Sequence, residues 1–279
     1  METINSFQIE RNIRVHDKIY RKYEQRHYDI FNPIEQERLH KKLEQAIRSI
    51  ETNSIMKRAL DFGCGSGNLT KHLIELGIFT VAADVSKKFL GLVKEAYTHT
   101  EKLDILQLNG RDLSNIQDNH FDLVATYSVL HHIPDYLQII QEMVRVVKSG
   151  GIIYIDHEAS ESYWNQTGEY IEFRQSIRPQ GKKTWKRYLM LSKYVERFHY
   201  YVLRCHRIVN PRYHVEADIH TFPDDHIEWE RVESILTALG CEIILKEDYL
   251  LYRKGCQIDI YQKYKNKCND MCVMIARKT

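Results

Sequence analysis

Between Ala59 and Thr70 the chain reads Ala-Leu-Asp-Phe-Gly-Cys-Gly-Ser-Gly-Asn-Leu-Thr, and no other stretch limits the possible folds as strongly. A short apolar run ends at an acidic residue, Asp61, and enters a turn with glycine at 63, 65 and 67. Glycine lets the backbone bend sharply and lets a ligand lie almost on the main chain. An amphipathic pattern from 68 to 76 predicts a helix that stops at Gly77, a residue suited to a helix C-terminus. Strand, glycine turn and helix in this order form the nucleotide-binding corner of a doubly wound α/β sheet.

Two nucleotide motifs are excluded by single residues. The dinucleotide pattern G-x-G-x-x-G needs glycine at 68, where Asn68 stands. The P-loop needs Gly-Lys-Ser/Thr to close the turn, and none follows. Further strands are expected at 78–83, 104–108, 121–127 and 152–155, alternating with helices at 87–97 and 136–148. Asp84 ends the second strand about twenty residues past the turn, where a carboxylate can accept bonds from both hydroxyls of a ribose. Ser86 is a fitting N-cap for the helix that begins at Lys87.

The form Asp61-x-Gly63-x-Gly65-x-Gly67 resembles the first motif of class I S-adenosylmethionine-dependent methyltransferases of the small-molecule type. The segment Ser128-Val-Leu-His-His-Ile-Pro-Asp135 is similar to the post-strand segment of many of them. The resemblance covers residues 57–158 firmly and 228–279 loosely. It implies a Rossmann-like, seven-stranded doubly wound sheet whose last strand, 270–276, runs antiparallel to the others. It implies S-adenosylmethionine as cofactor, with Asp61, Gly63, Cys64, Gly65 and Gly67 at its methionine end. Asp84 and Val85 fall at its ribose, Asp112 and Leu113 at its adenine, and Tyr127 at the end of the fourth strand. The donor methyl is already electrophilic, so the protein must align an acceptor lone pair and exclude water. Where the acceptor carries a proton, histidine is suited to remove it near neutral pH. His131, His132 and His157 follow the fourth and fifth strands and are the catalytic candidates, with one residue of each pair His131/His132 and His157/Glu158 expected to point inward.

Three segments lie outside this core. Residues 1–50 contain no glycine and are expected to form a helical cap, with Asn32 capping a helix that starts at Pro33. Tyr20, Tyr23, His27 and Tyr28 could reach the site from it, or simply pack it onto the sheet. Residues 160–227 form an expected helical lid inserted after the fifth strand. From Ser160 to Val215 this lid holds eleven Lys or Arg, four acidic residues and eleven aromatics, with an amphipathic helix across 182–209. Such a surface can close over a small substrate, bind RNA or rest on anionic lipid. At its end Asp218, His220, Asp224, Asp225 and His226 crowd together. They are read as helix caps or as lining of the substrate pocket; His220 and Glu158 join Tyr20, Tyr23 and His27 as the substrate candidates, and no metal is assigned. The core is then 51–159 with 228–279.

Composition excludes some classes. With 40 basic and 38 acidic residues the charge is nearly balanced, so the whole chain is not built for polyanions. No apolar run could span a bilayer, the first residues lack the parts of a signal peptide, and the six cysteines are scattered. The expectation is a cytoplasmic enzyme with free thiols. It moves a methyl group to an O or N atom of a small or medium-sized acceptor. RNA or protein methylation and a non-catalytic cofactor-binding scaffold are the alternatives; nucleic acid is a less favoured partner, and the oligomeric state is open.

Overall fold

The computed structural model describes residues 2–177, 208 and 218–279. Its centre is a seven-stranded sheet in the order β3-β2-β1-β4-β5-β9-β8. The strands are β1 (Arg58–Phe62), β2 (Phe79–Asp84), β3 (Leu103–Gln107), β4 (Phe121–Tyr127), β5 (Val147–Ala159), β8 (Cys241–Tyr249) and β9 (Met271–Lys278). The first five are parallel; β9 pairs antiparallel with both β5 and β8. A short hairpin, β6 (Thr221–Phe222) with β7 (Asp225–His226), stands apart.

Alternation along the strands supplies both faces of the core, because successive side chains point to opposite sides. Leu60, Val124, Ile153 and Ile155 face one layer, which contains the helix Tyr136–Val146 and the helix Trp229–Ala238. Ala59, Leu123, Ala125, Ile152 and Tyr154 face the other. There the cap helix α4 (Pro33–Arg48) brings Leu39, Leu43 and Ala46, and α5 (Asn68–Glu75) brings Leu69 and Leu73. Both faces are thus covered, as parallel strands require.

The N-terminal residues are helical as the pattern suggested, in four α-helical pieces, α1 (Glu2–Ile19), α2 (Tyr23–Arg26), α3 (Tyr28–Phe31) and α4, with a 3₁₀ turn at Tyr20–Lys22. Asn32 Oδ1 accepts the Glu35 N–H at 3.0 Å, and Pro33 supplies the first helical residue. Such a cap satisfies one of the amide groups that the first turn leaves without a helical partner. Several boundaries moved. The fifth strand spans thirteen residues and runs through Gly150 and Gly151 instead of starting after them. Gly151 is packed so closely that a Cβ would lie 2.8 Å from the Lys148 carbonyl oxygen. The acidic segment at 224–225 is a hairpin, not a helix cap: the helix N-cap is Glu228, and it makes no side-chain capping bond. The amphipathic helix expected across 182–209 falls almost wholly outside the described residues. The described parts of this segment, 160–177 and 218–227, lie at the carboxyl edge of the parallel strands. Tyr170 and Phe173 of the helix Gly168–Ser176 pack there against Leu250, Cys256 and Tyr264.

A buried polar network ties the cap to the sheet. Arg38 on α4 bonds Glu35 Oε1 at 2.5 Å and Asp156 Oδ2 on β5 at 2.9 Å. The hydroxyls of Tyr154 and Tyr249 donate to Asp156, and that of Tyr127 donates to Glu35. Burial raises the Glu35 carboxyl above its usual range, against the pull of Arg38. Removing one member of such a set leaves an uncompensated buried charge. Arg38→Met is therefore expected to destabilise the fold by roughly 3–5 kcal/mol and to lower the melting temperature by about 10 °C. Thermal and urea unfolding of the variant beside the parent checks this.

Candidate active site

The carboxyl ends of β1, β2 and β4 open onto a cleft with about 900 Å³ of empty space, roofed by α1. Gly63, Gly65, Asp84, Val85 and Asp112 line its floor and side, with Ile9, Ile13, His16 and Tyr23 above. Gly63, Gly65 and Gly67 all have positive φ, of 74°, 50° and 93°. At Gly65 a Cβ would meet nothing within 4 Å among the described residues, because the residue borders open cleft; at Gly63 it would strike the Val129 side chain at 2.6 Å.

Asp84 shapes the turn from below. Its Oδ2 accepts the Gly65 N–H at 3.0 Å and its Oδ1 the Ser86 N–H at 2.7 Å. Burial raises its pKa, and these backbone bonds pull the other way. Each oxygen keeps a second lone pair for a ligand hydroxyl. Asp61, buried at the end of β1, accepts Thr70 Oγ1 at 2.5 Å. Desolvation pushes its carboxyl up to about 7, opposed by the Thr70 bonds. Together with Gly63, Cys64, Asn68 and Tyr127 it lines a smaller recess beside the main cleft.

Asp112 sits at the opposite end, where bonds from Ser114 and Asn109 lower its pKa. Leu113 does not share the cleft. Its side chain is fully buried in the core, and its N–H donates to Glu142 Oε2 at 3.1 Å. Gly67 also stays behind the turn, as the N-cap of α5, with Val93 next to its Cα. Of the cap aromatics, Tyr23 lines both the cleft and the recess. His27 stacks on the Tyr23 ring at 4.0 Å and bonds the Tyr23 carbonyl. Tyr20 instead meets Arg21 and Lys88, and Tyr28 is exposed.

A second cavity adjoins the first, and Ser128, held at φ 59°, lines both. His131, His157, Glu158, Tyr163, Trp164, His220 and Arg253 surround it. Here the expected in–out alternation fails. Residues 130–132 form a 3₁₀ turn rather than a strand, so both histidines point inward: His131 to the second cavity, His132 to the cofactor-side cleft. His157 and Glu158 lie within β5, at a register shift where His157 adopts φ 62°, and both are buried. A bulge places consecutive side chains on the same side, which a strict period of two forbids.

Glu158 organises this cavity. Its Oε1 accepts the N–H groups of Val129 and Leu130 at 2.9 and 2.7 Å, and its Oε2 faces His131 Nδ1 at 2.7 Å. A carboxylate there fixes the His131 tautomer with hydrogen on Nδ1, so Nε2 carries the lone pair. His157 is held neutral, its pKa far below the ordinary value through burial and the nearby Arg38 and His131. Its Nε2 is buried without a hydrogen-bond partner among the described residues, and its ring stacks on Tyr127 at 4.6 Å. His220 bonds Asp225 at 2.5 Å and the Ile133 carbonyl at 3.0 Å, and so fastens the β6–β7 hairpin to the post-β4 segment. Asp218 leaves its sequence neighbours and approaches His132, at 3.1 Å.

Sequence reasoning missed Arg253, Trp164, Glu35 and Arg38. A signal existed for one of them: Glu35 precedes Leu39 and Leu43 by one and two helical turns, on the face that packs against the sheet.

With the geometry in hand, the comparisons are specific. Residues 60–155 match the family model of a methyltransferase domain. A demethylmenaquinone methyltransferase from Bacillus licheniformis is 28% identical over 66% of this chain and 82% of its own length. Residues 60–155 are a methyltransferase domain, and the relatives support the class I type. A ubiquinone biosynthesis O-methyltransferase from Dechloromonas aromatica is 32% identical over 36% of this chain and 43% of its own length. Among solved structures, an S-adenosylmethionine-dependent methyltransferase from Mesorhizobium loti shares the fold, with a TM-score of 0.51 and 16% identity over 84% of this chain and 96% of its own. Family and fold imply use of S-adenosylmethionine, and no described helix is long and apolar enough to cross a membrane.

Proposed function

We propose that this methyltransferase moves the methyl group of S-adenosylmethionine to a ring hydroxyl of a small, planar acceptor. One observation carries the reading: the glycine-turn cleft and the cavity organised by Glu158 and His131 meet at Ser128. A donor held in the first lies next to an acceptor held in the second. The cleft suits the cofactor. Gly65 leaves room for a chain lying on the backbone, Asp84 offers lone pairs to ribose hydroxyls, and Val85, Phe89 and Leu108 provide apolar surface for a base. When bound, the cofactor supplies an electrophilic methyl group.

The chain's own residues do the rest. His131 Nε2 takes the acceptor's proton, Glu158 steadies the imidazolium that results, and His157 faces the acceptor as a neutral hydrogen-bonding group. Tyr163, Trp164 and Ile227 supply flat apolar surface for a ring. The ubiquinone biosynthesis O-methyltransferase agrees in name with a hydroxyl acceptor, and the demethylmenaquinone methyltransferase with a planar ring. RNA or protein methylation is not favoured by any relative named above.

Incubation with methyl-labelled cofactor and separate pools of hydroxylated ring compounds, RNA and peptides tests the acceptor class. Label in the ring compounds supports the proposal; label confined to RNA or peptide overturns it.

Asp61 adds a pH signature. Its carboxyl titrates at about 7 in the folded protein, above the ordinary 3.8, because it is buried. The ammonium at the methionine end of the cofactor favours the ionised form, so binding below pH 7 must expel a proton. Affinity is therefore expected to fall as pH drops below about 7, by up to about tenfold per unit, and to be flat just above it. Calorimetry in buffers of different ionisation enthalpy reads the proton release directly, and Asp61→Asn should abolish it.

A further inference from the structure

Away from the two cavities, α4 and α5 bring together His40, His72 and Glu75, each offering one ligand atom within 4.8 Å of the others. His40 Nδ1 and His72 Nδ1 are 3.1 Å apart, and Glu75 Oε2 is 3.8 Å from His72 Nδ1. Two nitrogens on a tetrahedral zinc ion, with Zn–N of roughly 2.0–2.1 Å, would stand about 3.3 Å apart. His72 and Glu75 are i and i+3 on one helix, so the pair shares a face.

The second observation is the hydrogen bonding behind His72. Gln36 Nε2 donates to the Ile30 carbonyl and to Asn68 Oδ1, both at 2.9 Å, which turns its Oε1 towards His72 Nε2 at 3.0 Å. An amide oxygen only accepts, so Nε2 must carry the hydrogen and Nδ1 the lone pair. Ligating histidines are held in this way, the second nitrogen donating to an oxygen that fixes ring and tautomer. His40 needs only to exchange its Nδ1–H tautomer for Nε2–H.

We infer that His40, His72 and Glu75 form a site for a divalent transition metal, zinc above all, with solvent completing the coordination. Two imidazoles and one carboxylate suit such an ion better than calcium or magnesium, which prefer all-oxygen shells. His72 is 4% exposed and Glu75 is exposed, so the ion is held at the surface with one anchored ligand. Burial and the neighbouring His40 and Lys71 lower the His72 pKa to about 4, so protons do not compete for that nitrogen near neutrality. Bound there, the ion would join the cap helix to the helix that follows the glycine turn. Asn68, bonded to Gln36, is the first residue of that helix.

Titration of the full chain with Co²⁺, followed by displacement with Zn²⁺, tests the site. Visible absorption of tetrahedral or five-coordinate cobalt should appear and be displaced by zinc. Both His40→Ala and Glu75→Gln should weaken zinc at least tenfold, and zinc should raise the melting temperature of the parent but not of His40→Ala. A His132→Ala variant, altered at the cofactor-side cleft, should bind zinc at the His40, His72 and Glu75 site as the parent does. Absence of zinc binding by the parent, or unchanged affinity in both His40→Ala and Glu75→Gln, overturns the inference.

Discussion

Glu158→Gln is expected to lower kcat by about 10²–10⁴-fold while leaving cofactor affinity nearly unchanged. The amide oxygen of glutamine can still accept the Val129 and Leu130 N–H groups, which Glu158 Oε1 now holds at 2.9 and 2.7 Å. The amide nitrogen must then face His131 Nδ1, where the carboxylate oxygen stood at 2.7 Å. An NH₂ group there donates, so Nδ1 becomes the acceptor and the hydrogen moves to Nε2. The imidazole would then present a hydrogen to the acceptor instead of a lone pair. The loop keeps its clamp and the base loses its function, so the variant separates geometry from proton transfer. Turnover rates with a fixed acceptor, measured beside cofactor binding, check both halves. A change in kcat of less than threefold would show that His131 is not the base.

Gly65→Val is expected to abolish cofactor binding, by more than about 100-fold, with the fold retained. No described residue lies within 4 Å of a Cβ at this position, so the branched side chain projects into the cleft itself. The cost to the apoprotein is confined to a positive φ of 50°, which a β-branched residue adopts at roughly 1–2 kcal/mol. Gly63→Ala behaves differently. Its methyl group would lie 2.6 Å from Val129, so the substitution disturbs the packing of the post-β4 segment before any ligand is considered. Melting temperature and cofactor titration of the two variants should therefore dissociate: binding lost at 65 with a small stability loss, and stability strained at 63.

What the sequence revealed was local. The glycine turn, Asp84 and the four strands from Arg58 to Tyr127 follow from short-range patterns, and their order allows few topologies. The antiparallel β9 came from the family resemblance, since nothing in its apolar run states a direction. The site around Glu158 was only half legible. His157 and Glu158 were visible as residues, but their shared side depends on a bulge against β9, more than a hundred residues away. Leu113 shows a different limit. Its position in the motif suggested the cofactor, yet its side chain fills the core while its neighbour Asp112 stays at the cleft. The Arg38–Asp156 pair spans 118 residues of sequence, and no periodicity encodes such a contact.

The central claim, that the glycine turn holds S-adenosylmethionine, is tested most directly by calorimetric titration of the unmodified chain with S-adenosylmethionine and, separately, with NAD. The expected result is one site for S-adenosylmethionine that Gly65→Val removes, and no heat of binding for NAD. Binding of NAD without binding of S-adenosylmethionine would contradict it.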